Sequence, residues 1–90
     1  MGRKHEPQAE KFSLHLGRNL VESRKRVGLS QQGVADRAGL HRTEVSLIER
    51  GKRLARLDTI VKLAGAVEVE PCALLSGMAW QLAEPKEGSR

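Results

Sequence analysis

The sequence predicts an all-α domain of five helices, and three observations predict it. Aliphatic residues are plentiful and recur at helical spacing. Aromatic residues are nearly absent, Phe12 and Trp80 only, and no run alternates in the β-branched manner of a strand. Glycines separate the periodic segments, as at Gly28, Gly39, Gly51 and Gly77, where helix ends use them. Ninety residues suffice for one small core but not for two lobes about a cleft, so the function must fit on one surface.

Residues 1–10, MGRKHEPQAE, are polar and interrupted by Pro7, and are expected to form a flexible arm ahead of a domain over residues 11–82. The first helix starts near Lys11, carries Leu16, Leu20 and Val27 on one stripe and stops at Gly28. Arg24 falls on that stripe, an odd place for a charge. Ser30 is an N-cap residue for a second, short helix bearing Val34, Ala35 and Ala38, which Gly39 closes in a left-handed conformation.

The third helix, residues 41–50, begins within three residues of that glycine. On a helical wheel Val45 and Ile48 point one way, Thr43, Ser46, Leu47 and Arg50 the other, and Arg42 lies on the flank. Two short helices joined by a tight glycine-containing turn constitute a helix-turn-helix. Beyond the basic connection Lys52-Arg53-Leu54-Ala55-Arg56, the fourth helix repeats Leu57, Ile60, Val61, Ala64 and Val67, and Gly65 within it marks a close helix contact. Pro71 opens a short fifth helix with Leu74 and Leu75. The following MAWQL segment either offers Trp80 and Leu82 as a contact surface or folds back toward Phe12 and Leu16, and residues 83–90 are expected to be a disordered tail.

The formal charge of +5 favours a polyanionic partner. It is concentrated centrally: residues 37–56 carry +4, six Lys/Arg against Glu44 and Glu49, whereas residues 57–90 carry −2. The single Cys72 forms no internal disulfide, and His5, His15 and His41 show no metal-ligand spacing with it. A small packed side chain is the expectation for Cys72, with oxidant sensing as the alternative. With no long apolar run and no export signal, a cytoplasmic protein is expected, without metal, cofactor, membrane or small-molecule partner. No nucleophile is paired with a base, so no enzymatic activity is expected.

Leu20 to Arg53 and Leu57 to Leu75 together resemble the phage-repressor and Cro-type (Xre) helix-turn-helix family. The elements that carry the resemblance are Gly28-Leu29-Ser30-Gln31, Ala35, Ala38-Gly39, Ile48-Glu49-Arg50-Gly51-Lys52 and Val69-Glu70-Pro71 ahead of Leu74-Leu75, in that order and spacing. The resemblance implies a five-helix lambda-repressor-like bundle whose third helix enters the major groove of double-stranded DNA. Arg42 is suited to pair with guanine, Thr43 and Ser46 to hydrogen-bond bases or phosphates, and Leu47 to cover a thymine methyl; an ordinary solvated face is the alternative. Gln31 matches a glutamine that bonds a phosphate in this family, and His41, Arg50, Lys52 and Arg53 are candidates for the backbone on either side. Arg24 and Glu49 match a structural salt bridge, since Glu49 projects only about 70° from the core direction of its helix.

Five residues, at four places, depart from the family pattern. Gly33 replaces a capping-box glutamate, His41 a Ser or Thr cap and Leu54-Ala55 an Asn-Pro pair, while Glu68 stands where a glycine usually ends the fourth helix. The expected function is a sequence-specific transcriptional regulator, a homodimer through the C-terminal helix and residues 78–82. An antitoxin or restriction-modification controller with the same surface, and a protein-interaction adaptor on the same fold, are the alternatives.

Overall fold

The computed structural model describes residues 7–82. Five helices follow in order, α1 Pro7–Arg26, α2 Gln31–Ala38, α3 Arg42–Glu49, α4 Leu57–Ala66 and α5 Pro71–Leu74, and the described residues contain no strand. The first helix thus begins at Pro7 rather than Lys11, which moves residues 7–10 out of the expected arm. A proline needs no amide donor in a first turn, so Pro7 starts the helix instead of interrupting it. The rest of the expected arm and the tail over residues 83–90 lie outside the described residues.

All five helices contribute to one core. Leu16 and Leu20 come from α1, Val34, Ala35 and Ala38 from α2, Val45 and Ile48 from α3, Leu63, Ala64 and Ala66 from α4 with Val67 at its end, and Leu74 from α5. Helix α1 packs on α3 and α5, α2 on α3 and α4, and α4 on α5. Helices of eight residues are unstable alone in water, so α2 and α3 exist because each fully buried Val, Leu or Ile contributes about 1.5–3 kcal/mol.

The turn between α2 and α3 is built locally. The Ser30 Oγ accepts from the Gly33 N–H at 2.9 Å to start α2. Gly39 ends it at φ 70°, and the Leu40 N–H returns to the Ala35 carbonyl at 2.9 Å. At the far end of α4, Glu68 adopts φ 64° in the position usually given to glycine. Arg37 from α2 closes that end, its Nη1 donating to the Ala66 carbonyl at 3.0 Å and to Glu68 Oε2 at 2.9 Å.

Helix α4 meets the core through Ile60, Ala64 and Val67 as its spacing suggested, but is rotated so that the rest of the expected stripe stays in solvent. Thr59, Leu63, Ala64 and Ala66 are buried with Val67, whereas Leu57 and Val61 are exposed. The helix is apolar over most of its circumference, so the sequence holds two overlapping stripes, and packing against α2 and α5 selects the one centred on Leu63. Cys72 is exposed, not packed. The segment after α5 takes the fold-back course: Trp80 meets Phe12 with ring centroids 6.2 Å apart and planes at 47°, and Gln8 and Gln81 exchange two hydrogen bonds, at 2.8 and 3.2 Å. Asn19 ties α5 to α1, its Nδ2 donating to the carbonyls of Leu74 and Ser76 at 2.9 Å each.

Two mid-helix glycines have opposite surroundings. A Cβ on Gly17 of α1 would stand 2.5 Å from the Glu49 carbonyl and 2.6 Å from that of Ile48, so the C-terminal end of α3 rests on bare α1 backbone. A Cβ on Gly65 would meet open space, so no contact within the chain requires that glycine. Gly17→Ala is therefore expected to destabilise the fold by about 1–3 kcal/mol. Gly65→Ala is expected to stabilise it by about 0.5–1 kcal/mol in dilute solution. Thermal and denaturant unfolding of the two variants checks the opposite signs.

Candidate nucleic-acid interface

Helix α3 is anchored from one side only. Val45 and Ile48 are fully buried between α1 and α2, and one turn on, Glu49 sends its carboxylate into the junction of all three helices, where its side chain is 4% exposed. Three donors meet it: Arg24 Nε at 2.6 Å and Arg24 Nη2 at 3.0 Å, a bidentate pair, and Gln31 Nε2 at 2.8 Å. The remaining Arg24 contact runs from Nη1 to the Leu29 carbonyl at 2.9 Å, so the guanidinium also holds the α1–α2 turn. The hydrogen bond to Glu49, opposed by burial and aided by the carboxylate's charge, raises the Arg24 pKa above its ordinary value. The charge that looked misplaced on the apolar stripe of α1 is thus the partner of the one charge that α3 buries.

This network changes the reading of Gln31. Its amide was expected to bond a phosphate; in the fold one of its N–H groups is held by Glu49 and only the second is left for a further partner. His41 also departs from expectation. It does cap α3: Nδ1 accepts the Thr43 N–H at 3.1 Å. A lone pair is needed there, so the ring proton sits on Nε2 of an exposed side chain, available as a donor.

The outward side of α3 carries Arg42 and Thr43, both exposed, with Ser46 and Leu47 partly exposed beside them. Arg50, Lys52 and Arg53 follow on the exposed turn after the helix. One surface therefore holds a hydroxyl- and arginine-bearing helix face with cations at its C-terminal border. Among the described residues no group of three His, Cys, Asp or Glu is placed to hold a metal ion, and no helix is long and apolar enough to cross a membrane.

Three residues that set this geometry escaped the sequence reading. Gly17 lies on the stripe of Leu20 and Arg24, three and seven residues ahead of them, and that register was its available signal. Asn19 and Arg37 act through distant backbone carbonyls, for which no local pattern exists.

A short helix fastened along its inner side, aligned by a preceding helix and a tight turn, and open along its outer side defines a helix-turn-helix domain of the transcription-regulator type. The family model described as helix-turn-helix, HTH_3, matches residues 20–74, and the chain belongs to that family. It is 47% identical over 47 residues to the control protein C.BamHI of Bacillus amyloliquefaciens, a match spanning 52% of this chain and 58% of that protein. Among solved structures it is similar to the restriction-modification controller protein C.AhdI of Aeromonas hydrophila, with 42% identity, a TM-score of 0.67 and coverage of 69% of this chain and 94% of that one. It is also similar to the hypothetical transcription factor NHTF from Neisseria, at 32% identity and TM-score 0.70 over 83% of this chain and 86% of that one. An HTH_3 family transcriptional regulator from Vibrio cholerae gives 27% identity and TM-score 0.70 over 73% of this chain and 37% of that one. These relatives are named as regulators and controllers.

Removing the Glu49 carboxylate leaves an arginine whose side chain is only 15% exposed without its partner. Glu49→Ala is therefore expected to cost about 3–5 kcal/mol. Replacing Arg24 and Glu49 together by apolar residues of similar volume is expected to recover much of that loss, and a double-mutant cycle by chemical denaturation reads the coupling.

Proposed function

We propose that this chain is a sequence-specific, double-stranded-DNA-binding transcriptional regulator that reads the major groove with residues 41–50 and acts as a homodimer. The observation that carries the reading is the one-sided anchoring of α3: its inner face and Glu49 are consumed by the fold, while Arg42, Thr43, Ser46 and Leu47 face outward in the most basic part of the chain. A helix fixed in this way fits a groove about 12 Å wide and brings those side chains to base edges. Arg42 takes the bidentate contact to guanine, Thr43 and Ser46 bond bases or adjacent phosphates, and Leu47 covers a thymine methyl. Arg50, Lys52 and Arg53 grip one backbone strand, and His41 Nε2–H with the second Gln31 N–H meets phosphates at the other border. A homodimer supplies the two half-sites that one recognition helix cannot read alone.

A second reading within DNA binding, a restriction-modification controller, is favoured by the likeness to two proteins named as controllers. It uses the same surface, and mapping the sites bound in the source genome separates the two. An adaptor that reuses the fold for protein contacts leaves the basic face around α3 without a purpose.

Affinity for a cognate fragment is expected to fall steeply with salt, the logarithmic slope being about −0.9 for each phosphate neutralised. Arg42→Ala is expected to lose about 1–3 kcal/mol against the preferred base at one position of each half-site and to relax selectivity there. Lys52→Ala is expected to weaken all sequences alike and to reduce the slope. Fluorescence anisotropy on matched and mismatched duplexes over a salt series checks both, and equal losses on every duplex for the two variants would remove Arg42 from base reading.

His41 has separable parts. His41→Ala is expected to cost about 1 kcal/mol of stability through the lost cap, whereas His41→Asn restores the cap. Any affinity still missing in the Asn variant measures the Nε2–H contact; full recovery would show that His41 serves only the helix start.

A further inference from the structure

One stripe of α1 faces the segment that follows α5. Gln8, Phe12, His15 and Asn19 recur along it at helical spacing, and each meets a point within residues 74–81. Gln8 pairs with the Gln81 backbone, Phe12 lies against Trp80, and Asn19 holds the Leu74 and Ser76 carbonyls. Between these ties, a Cβ on Gly77 would stand 3.2 Å from His15 Nδ1. Along the seam lies a hollow of about 370 Å³, lined chiefly by Gln8, Lys11, Phe12, His15, Trp80 and Gln81. Sites for small molecules begin at about 300 Å³, so this one has room for a compound of modest size.

The lining defines the chemistry of the occupant. It brings together both aromatic residues of the chain, an ammonium, an imidazole and two amides, and it contains no carboxylate. Trp80 keeps 56% of its surface exposed, so its ring has area left for another ring beside Phe12. Lys11 and His15 have no hydrogen-bond or ion-pair partner among the described residues. Arg18, seven residues on from Lys11, is exposed on the same side of α1 and adds to the positive potential. Glu10 projects about 100° round the helix from Lys11, and Glu22 lies about 10 Å along the axis from His15. From this arrangement we infer that the hollow binds a small aromatic carboxylate, its ring held by Phe12 and Trp80 and its charge received by Lys11 and the His15 ring N–H. One ammonium balances one carboxylate, and the imidazole N–H supplies the second donor that two carboxylate oxygens accept. Gly17 and Arg24, which seat α3, lie on the opposite side of α1, so a bound molecule leaves the outward face of α3 free. The inference goes beyond the DNA-binding reading and does not depend on it.

Trp80 is the only tryptophan, so its indole N–H gives a single resonance in a proton–nitrogen correlation spectrum of the whole chain. Titration with benzoate is expected to shift that resonance and the Gly77 amide saturably. Benzyl alcohol, with the same ring but no charge, and benzylamine, with the opposite charge, are expected to bind at least roughly tenfold more weakly. Acetate, which has the charge without the ring, is expected to leave both resonances in place. Lys11→Gln is expected to reduce benzoate to the level of benzyl alcohol without lowering the thermal midpoint, because Lys11 is exposed and holds no other element. Lys62→Gln removes the same charge from α4 and is expected to change nothing. Benzoate that fails to saturate, benzoate bound no better than benzyl alcohol or acetate, or an equal loss in the two lysine variants would overturn the assignment.

Discussion

The position of every exposed group on α3 depends on one buried carboxylate. Glu49 has given up water, and in return it receives two donors from Arg24 of α1 and one from Gln31 of α2. Desolvating an ion pair offsets most of its attraction, so its net contribution to stability is small beside the aliphatic core. Its distinctive contribution is direction. Apolar side chains of the same volume hold three helices together but tolerate small rotations, whereas a bidentate guanidinium and an amide meeting one carboxylate fix α3 about its own axis. The bare backbone of Gly17 sets the complementary coordinate, the depth at which the end of α3 rests on α1.

The same arrangement explains why so short a helix holds its form, as the proposed groove reading requires. Eight residues of helix have little stability of their own, and a groove reader that had to order itself on binding would lose affinity to that ordering. Here the ordering is completed on folding: Val45 and Ile48 hold the inner face, His41 satisfies an amide at the start, and Glu49 fixes the end. The cations that follow are outside the helix, on a turn, where long side chains change course without disturbing the outward face of α3.

Much of this was legible in the sequence, and the reason is locality. Ser30, Gly39 and the glycine after α1 act on backbone within a few residues, so type and spacing identify them. The Arg24–Glu49 pair was legible because each residue broke an apolar pattern on its own helix and family resemblance supplied the partner. Tertiary choices were not legible. Helix α4 is apolar on two sides, and only contact with α2 and α5 decides which one is buried. Gln31 has a donor that a carboxylate and a phosphate could equally take, and nothing local announces that Glu49 is in reach. The cap made by His41 was not legible because an imidazole acceptor substitutes for a hydroxyl only in one tautomer, a state no residue code specifies.

The separation of holding from facing on α3 has an evolutionary consequence. Val45, Ile48 and Glu49 bear the fold, while the side chains at 42, 43, 46 and 47 have at least part of their surface in solvent. Substitutions at such positions ordinarily change stability by no more than about 0.5 kcal/mol. On the proposed reading, a lineage carrying this domain alters its DNA preference one base pair at a time without passing through unfolded intermediates. The outward row behaves as a short, rewritable address on a scaffold that does not register what is written there.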